Sequence, residues 1–178
     1  MLNKNEVYRI FESKPYKESW PIDLNNSLEN IGTYYSSLIL SLTKHTGFST
    51  YFSQQGGMSN YLEFICFPDH SEFYNGNAIM VCVSLCAPIV AYGQTTFQNN
   101  PNFKAYDFME ISAVGNITDN SLKDIENEII NILQNNNLEI IDIDFAKRDL
   151  PKDISAYVSK NNLNFGNKYL HGLFQHTD

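Results

Sequence analysis

This 178-residue chain has no long apolar run. The longest, residues 78–85 (AIMVCVSL), is eight residues, against the roughly 20 that a membrane-spanning helix requires, so no membrane helix is expected. Cations are scarce as well. Twelve Lys and Arg stand against twenty Asp and Glu, giving a formal net charge of −8 and a pI near 4.9. Binding DNA or RNA needs clustered cations to displace counterions; no basic stripe is present, so direct nucleic-acid contact is not expected. Cysteine is limited to three residues, an odd number that argues against a secreted disulfide framework. The opening residues MLNKNE carry no apolar signal region, and the expected compartment is the cytoplasm. There is no internal repeat and no linker rich in Pro, Gly or Ser.

Aromatic residues are plentiful, with 12 Phe and 11 Tyr beside a single Trp. Together with 43% hydrophobic residues, this fits a globular chain able to fill a continuous core. A single domain over residues 1–178 is expected: a helical part at 1–47, sheet and helix at 48–160, and a polar tail at 161–178.

Charge is unevenly placed. Residues 107–153 hold eleven acids and only four bases (Lys123, Lys147, Arg148 and Lys152), a net of 4 − 11 = −7. The rest of the chain is therefore nearly neutral. Anions crowded in one folded region repel one another and repel nucleic acid.

Periodicity supplies the elements. Val7, Ile10 and Phe11 predict a helix over residues 5–13. Ile31, Tyr35, Leu38, Ile39 and Leu42 predict a continuous helix over residues 27–46, with Gly47 as its stop. Strand character follows at 48–53 and 61–67, flanking Gln54-Gln55-Gly56-Gly57 as a hairpin loop. Further strands are expected at 78–85, 89–97 and 106–114. Ser121 and Asp124 resemble a capping box before an amphipathic helix carrying Leu122, Ile125, Ile129, Ile132 and Leu133, which the triplet Asn135-Asn136-Asn137 ends. A strand over 138–145 and a short helix from Pro151, with Ile154, Tyr157 and Val158 on one side, complete the pattern. The expected fold is α+β, a mostly antiparallel sheet of five to six strands with helices packed on it.

In a strand over 138–145, alternation turns Ile141, Ile143 and Phe145 inward and leaves Asp142 and Asp144 outward. Over 106–113 it turns Met109, Ile111 and Ala113 inward and leaves Tyr106, Phe108 and Glu110 outward. Asp124, Glu126 and Glu128 lie off the helix's apolar stripe. The acidic block thus reads as the outward side of one strand–helix–strand unit. The residues expected to meet a partner are Tyr106, Phe108, Glu110, Asp124, Glu128, Asp142 and Asp144.

Other constellations are weaker. Cys66, His70, Cys82 and Cys86 approach a zinc pattern, but Cys82 lies within an apolar strand, where free cysteine packs as core. Cys86, Ser84, His70, Asp69 and Glu72 include nucleophile and base types, yet no nucleophile elbow surrounds them. Asp142, Asp144 and Glu110 form no calcium loop. No cofactor, metal or catalytic set is expected.

A small acidic chain with an N-terminal helix, strands such as Tyr61-Leu62-Glu63-Phe64-Ile65 and Val81-Cys82-Val83-Ser84, and no catalytic set resembles the immunity proteins of bacterial polymorphic-toxin and contact-dependent growth inhibition systems. The resemblance implies a protein that neutralises a cognate toxin domain, basic and often a nuclease, by direct binding. Alternative expectations are a small enzyme or small-ligand protein with a pocket between helix and sheet, and a self-associating structural subunit.

Overall fold

Two long strands, β3 (Tyr74–Ser84) and β4 (Ile89–Asn100), pair antiparallel from Val83↔Val90 to Tyr74↔Asn99 and form the spine of the protein. The computed structural model describes residues 2–22, 28–53, 59–68, 70–152, 154 and 166–175. Around the spine lie β1 (Ser49–Ser53), β2 (Tyr61–Phe67) and β5 (Phe103–Tyr106), in the order β1-β2-β3-β4-β5, all antiparallel. A two-residue strand, β6 (Glu139–Ile140), runs parallel to the start of β4. The sheet is therefore mixed but mostly antiparallel, and the fold is α+β.

Both faces of the sheet are covered, which explains why β3 is nearly continuous in apolar residues. On one face, Ile65, Met80, Cys82, Ala91 and Phe97 pack with helices α1 (Lys4–Phe11) and, near the C-terminus, α5 (Ile143–Ala146) and α6 (Tyr169–Leu173). On the other, Phe64, Ile79, Val81, Val83 and Tyr92 pack with α2 (Leu28–Tyr34), α3 (Ser36–Thr43) and α4 (Lys123–Asn135). Alternation along each strand sends successive side chains to opposite cores.

Several elements depart from their sequence patterns. The helix expected over residues 27–46 is split at Tyr35. Backbone bonds Tyr35 N→Ile31 O and Ile39 N→Tyr35 O bridge the break, and the buried Tyr35 hydroxyl donates to the Ser84 carbonyl at 2.7 Å. Asp119, not Ser121, caps the turn leading into α4: its carboxylate accepts from the Ser121 amide and hydroxyl. Ser121 is thus a donor, so the expected box does not form. The helix does end at the Asn triplet, with Asn137 at φ +57, the left-handed conformation that Asn tolerates.

The strand expected over 138–145 stops after Ile140, because Asp142 accepts from the Phe145 amide at 2.7 Å and starts α5. Asx side chains favour such caps over strand interiors. In consequence Leu138 is buried and Ile143 is 38% exposed, against the expected alternation, while Ile141 and Phe145 are buried and Asp142 and Asp144 exposed as expected. The strand expected over 106–114 also fails. Only its first residue belongs to β5, and Ile111–Ala113 forms a 3-10 turn. Gln54-Gln55-Gly56-Gly57 lies outside the described residues, as do Tyr157 and Val158 of the expected last helix; Ile154 is buried.

Candidate functional site: the β4 edge, a curled sheet face and an open cleft

One edge of β4 is occupied by three separate segments. β6 pairs at Ile89 and Val90, Val114 bridges Gly93, and β5 pairs at Phe97–Asn100. The close approach in the middle requires glycine: a Cβ on Gly93 would lie 2.6 Å from the Ala113 carbonyl oxygen. The acidic block is wrapped along this edge.

The structure distributes the seven expected partner-binding residues unevenly. Tyr106, the last residue of β5, and Phe108, beyond the strand's end, both pack against the core. Phe108 packs edge-on to Tyr61, ring centres 6.2 Å apart. Glu110, Asp124, Glu128, Asp142 and Asp144 are exposed. They do not share one flat face. Asp124 and Glu128 ride on α4, against one core, while Asp142 and Asp144 belong to α5, against the other. The strand–helix–strand surface is therefore replaced by an anionic rim around the edge of β4. Phe108 and Glu110 come together with Asp107 in the wall of a polar cleft of about 370 Å³.

Three of the block's four bases are engaged within it. Lys123 bonds Glu126 at 2.8 Å, Lys147 pairs with Asp144 at 2.5 Å, and Arg148 lies over the Phe145 ring. Lys147 beside Asp144 holds that carboxyl below its usual range. Glu126, expected on the solvent side, is buried and also accepts from the Tyr92 hydroxyl at 3.1 Å. Burial, reinforced by the Glu126 charge, pushes the Tyr92 phenol up to about 12. Asp107, Glu110, Asp124 and Asp142 form no ion pair among the described residues.

A second grouping is absent from the sequence-derived candidates. In a flat sheet β1 and β5 would be four strand spacings apart, about 19 Å. Here Tyr51 of β1 stacks on Phe97 of β4 and lies 6.1 Å from the Tyr106 ring of β5, so the sheet is curled. Inside the curl Glu63 is buried, accepting from Tyr106 Oη at 2.5 Å and Tyr61 Oη at 3.3 Å, with Ser53 Oγ 3.2 Å from Tyr106 Oη. Burial pushes the Glu63 carboxyl up, and the two phenol donors oppose it. The available sequence signal was a lone carboxylate in the apolar strand YLEFICF, on the same side as Tyr61 and Ile65.

A third feature is an open cleft of about 540 Å³ where β1 begins, β2 ends and β4 turns into β5. His45, Ser49, His70, Glu72, Asn99 and Lys104 contribute to its walls. Ser49 Oγ and His70 Nδ1 are hydrogen-bonded at 2.8 Å.

The cysteines are all free and buried. Burial pushes the Cys66 and Cys86 thiols up to about 12, and Cys82 is likewise raised, so these thiols act as core side chains and not as nucleophiles. Among the described residues no group of His, Cys, Asp and Glu is placed to hold a metal ion, and no helix is long and apolar enough to cross a membrane. Comparison with protein-family models, with curated proteins and with solved structures gives no match to the chain.

Proposed function

We propose that this protein is a binding inhibitor of the immunity type, which neutralises a cognate toxin domain of basic character by direct contact through the anionic rim of β4. The observation that carries the reading is the uncompensated charge on that rim. Lys123, Lys147 and Arg148 are committed to Glu126, Asp144 and the Phe145 ring, while Asp107, Glu110, Asp124 and Asp142 are exposed and form no ion pair among the described residues. Such a rim is self-repelling in the free protein. A cationic partner relieves the repulsion, and the same field raises its association rate, by about 10- to 1000-fold at low salt. A basic nuclease domain, whose own site binds phosphate, has the complementary charge.

The test is co-expression with the C-terminal domain of a secreted protein encoded beside this chain. Growth should be rescued, and the purified pair should associate more slowly as salt rises. The combined variant Asp107→Asn, Glu110→Gln, Asp124→Asn, Asp142→Asn should slow association about tenfold or more and flatten its salt dependence. Asn at position 142 keeps the helix cap. Absence of rescue, or an unchanged salt dependence in the variant, refutes the reading.

A second reading, a small-ligand protein, is favoured by the cleft at the start of β1, whose volume of about 540 Å³ suits a small molecule.

A further inference from the structure

Ser49 and His70 both line that cleft. Ser49 opens β1 and its backbone pairs with Phe67 at the end of β2; His70 lies three residues beyond, where the chain has left the sheet. With the imidazole proton on Nε2, Nδ1 accepts the Ser49 hydroxyl across the observed 2.8 Å. Ser49 Oγ has no other hydrogen-bond partner among the described residues, so it caps no helix and closes no turn. The other histidine in the cleft, His45, is committed elsewhere: its ring stacks on Phe48, Nδ1 accepts from the Gly47 amide, and Nε2 lies 3.7 Å from Glu128. Lys104, from the β4–β5 side, also lines the cleft; its ammonium bonds the Asn100 carbonyl at 3.3 Å and lies over the Tyr51 ring, 6.0 Å from its centre, with no carboxylate paired to it among the described residues.

We propose that Ser49 is a nucleophile, with His70 as its general base, that takes up the acyl group of small esters admitted to this cleft. Ser49 Oγ attacks the ester carbonyl carbon while its proton passes to His70 Nδ1. The tetrahedral oxyanion draws on the positive charge of Lys104. Collapse breaks the bond to the leaving oxygen, which takes the proton back from His70, and the acyl group remains on Ser49. Water, deprotonated by His70, then attacks the acyl carbon; the bond to Ser49 Oγ breaks, Oγ takes the proton back from His70, and the carboxylic acid leaves. Nucleophile and base within hydrogen-bond reach in an accessible cavity are the first element of geometry this chemistry requires. The anionic rim and its partner play no part in it, so the two proposals stand or fall separately.

The experiment uses the full chain and p-nitrophenyl acetate. A burst of nitrophenol should accompany acetyl transfer to the peptide containing Ser49, located by mass spectrometry. Ser49→Ala should remove that label, and His70→Gln should slow its formation by about 100-fold, the general-base contribution. Ser49→Cys should retain labelling, as a thioester. Ser49 and His70 meet near the surface, so near-ultraviolet circular dichroism of these variants should match the parent. Acetyl groups confined to lysines or the N-terminus of the parent chain overturn the proposal, whatever the variants do. A labelling rate unchanged by Ser49→Ala and His70→Gln overturns it equally.

Discussion

Tyr106 on β5 donates its phenol proton to the Glu63 carboxylate on β2 across 2.5 Å, although β3 and β4 lie between the two strands. The bond exists because the sheet curls and because the chain stops being a regular strand after Tyr106. It places a buried carboxylate under two phenols, with no cation among the described partners.

Glu63 should make stability fall as pH rises. Its folded pKa is raised, first by burial, so the folded state holds the proton more tightly than the unfolded chain does. The stabilisation is complete below the unfolded value, near 4.3, and is lost as pH rises through the folded value. Urea unfolding at pH 4.5 and 7.5 should show the loss, and Glu63→Gln should flatten it. Tyr106→Phe, which removes a charge-assisted donor, should cost about 1.5–3 kcal/mol at neutral pH. An unaltered pH dependence in Glu63→Gln would sink this assignment.

Gln175 should be a clasp for both termini. Its side-chain amide donates to the Phe11 and Gly172 carbonyls, each at 2.7 Å. Its backbone exchanges bonds with Asn60: the Gln175 amide donates to Asn60 Oδ1 at 2.7 Å, and the Asn60 amide donates to the Gln175 carbonyl at 3.1 Å. Gln175→Ala leaves two buried carbonyls without these donors and should destabilise by about 2–4 kcal/mol, measured by chemical denaturation. Hydrogen exchange should accelerate in α1 and α6 before it does in β3. A loss below about 0.5 kcal/mol would show that the amide bonds are incidental.

Gly93→Ala should loosen the middle of the β4 edge. The added methyl would meet the Ala113 oxygen at 2.6 Å and Met109 Sδ at 3.2 Å, so the turn carrying Val114 must move. The cost should be about 1–3 kcal/mol, typical of overpacking. The Gly115 amide, which donates to the Tyr92 carbonyl at 2.8 Å, should lose protection against exchange. Retained protection with native thermal stability would show that the turn is not held at Gly93.

The sequence by itself determined the α+β class, the apolar central strands, the N-terminal helix and the amphipathic helix ending at the Asn triplet. These depend on periodicity within one segment, and burial of Ile125, Ile129 and Leu133 follows from spacing alone. It also determined the charge excess of residues 107–153, because composition needs no fold. Tertiary structure decided where that charge points. Asp142 became a helix cap, Glu126 went beneath Tyr92, and Tyr106 turned inward to Glu63. In each case a local pattern yielded to a contact with a residue at least several positions away, or to a hydrogen bond that strand geometry does not offer. The Ser49–His70 pair belongs to the same class: 21 residues separate them, and only the pairing of β1 with β2 brings them to 2.8 Å.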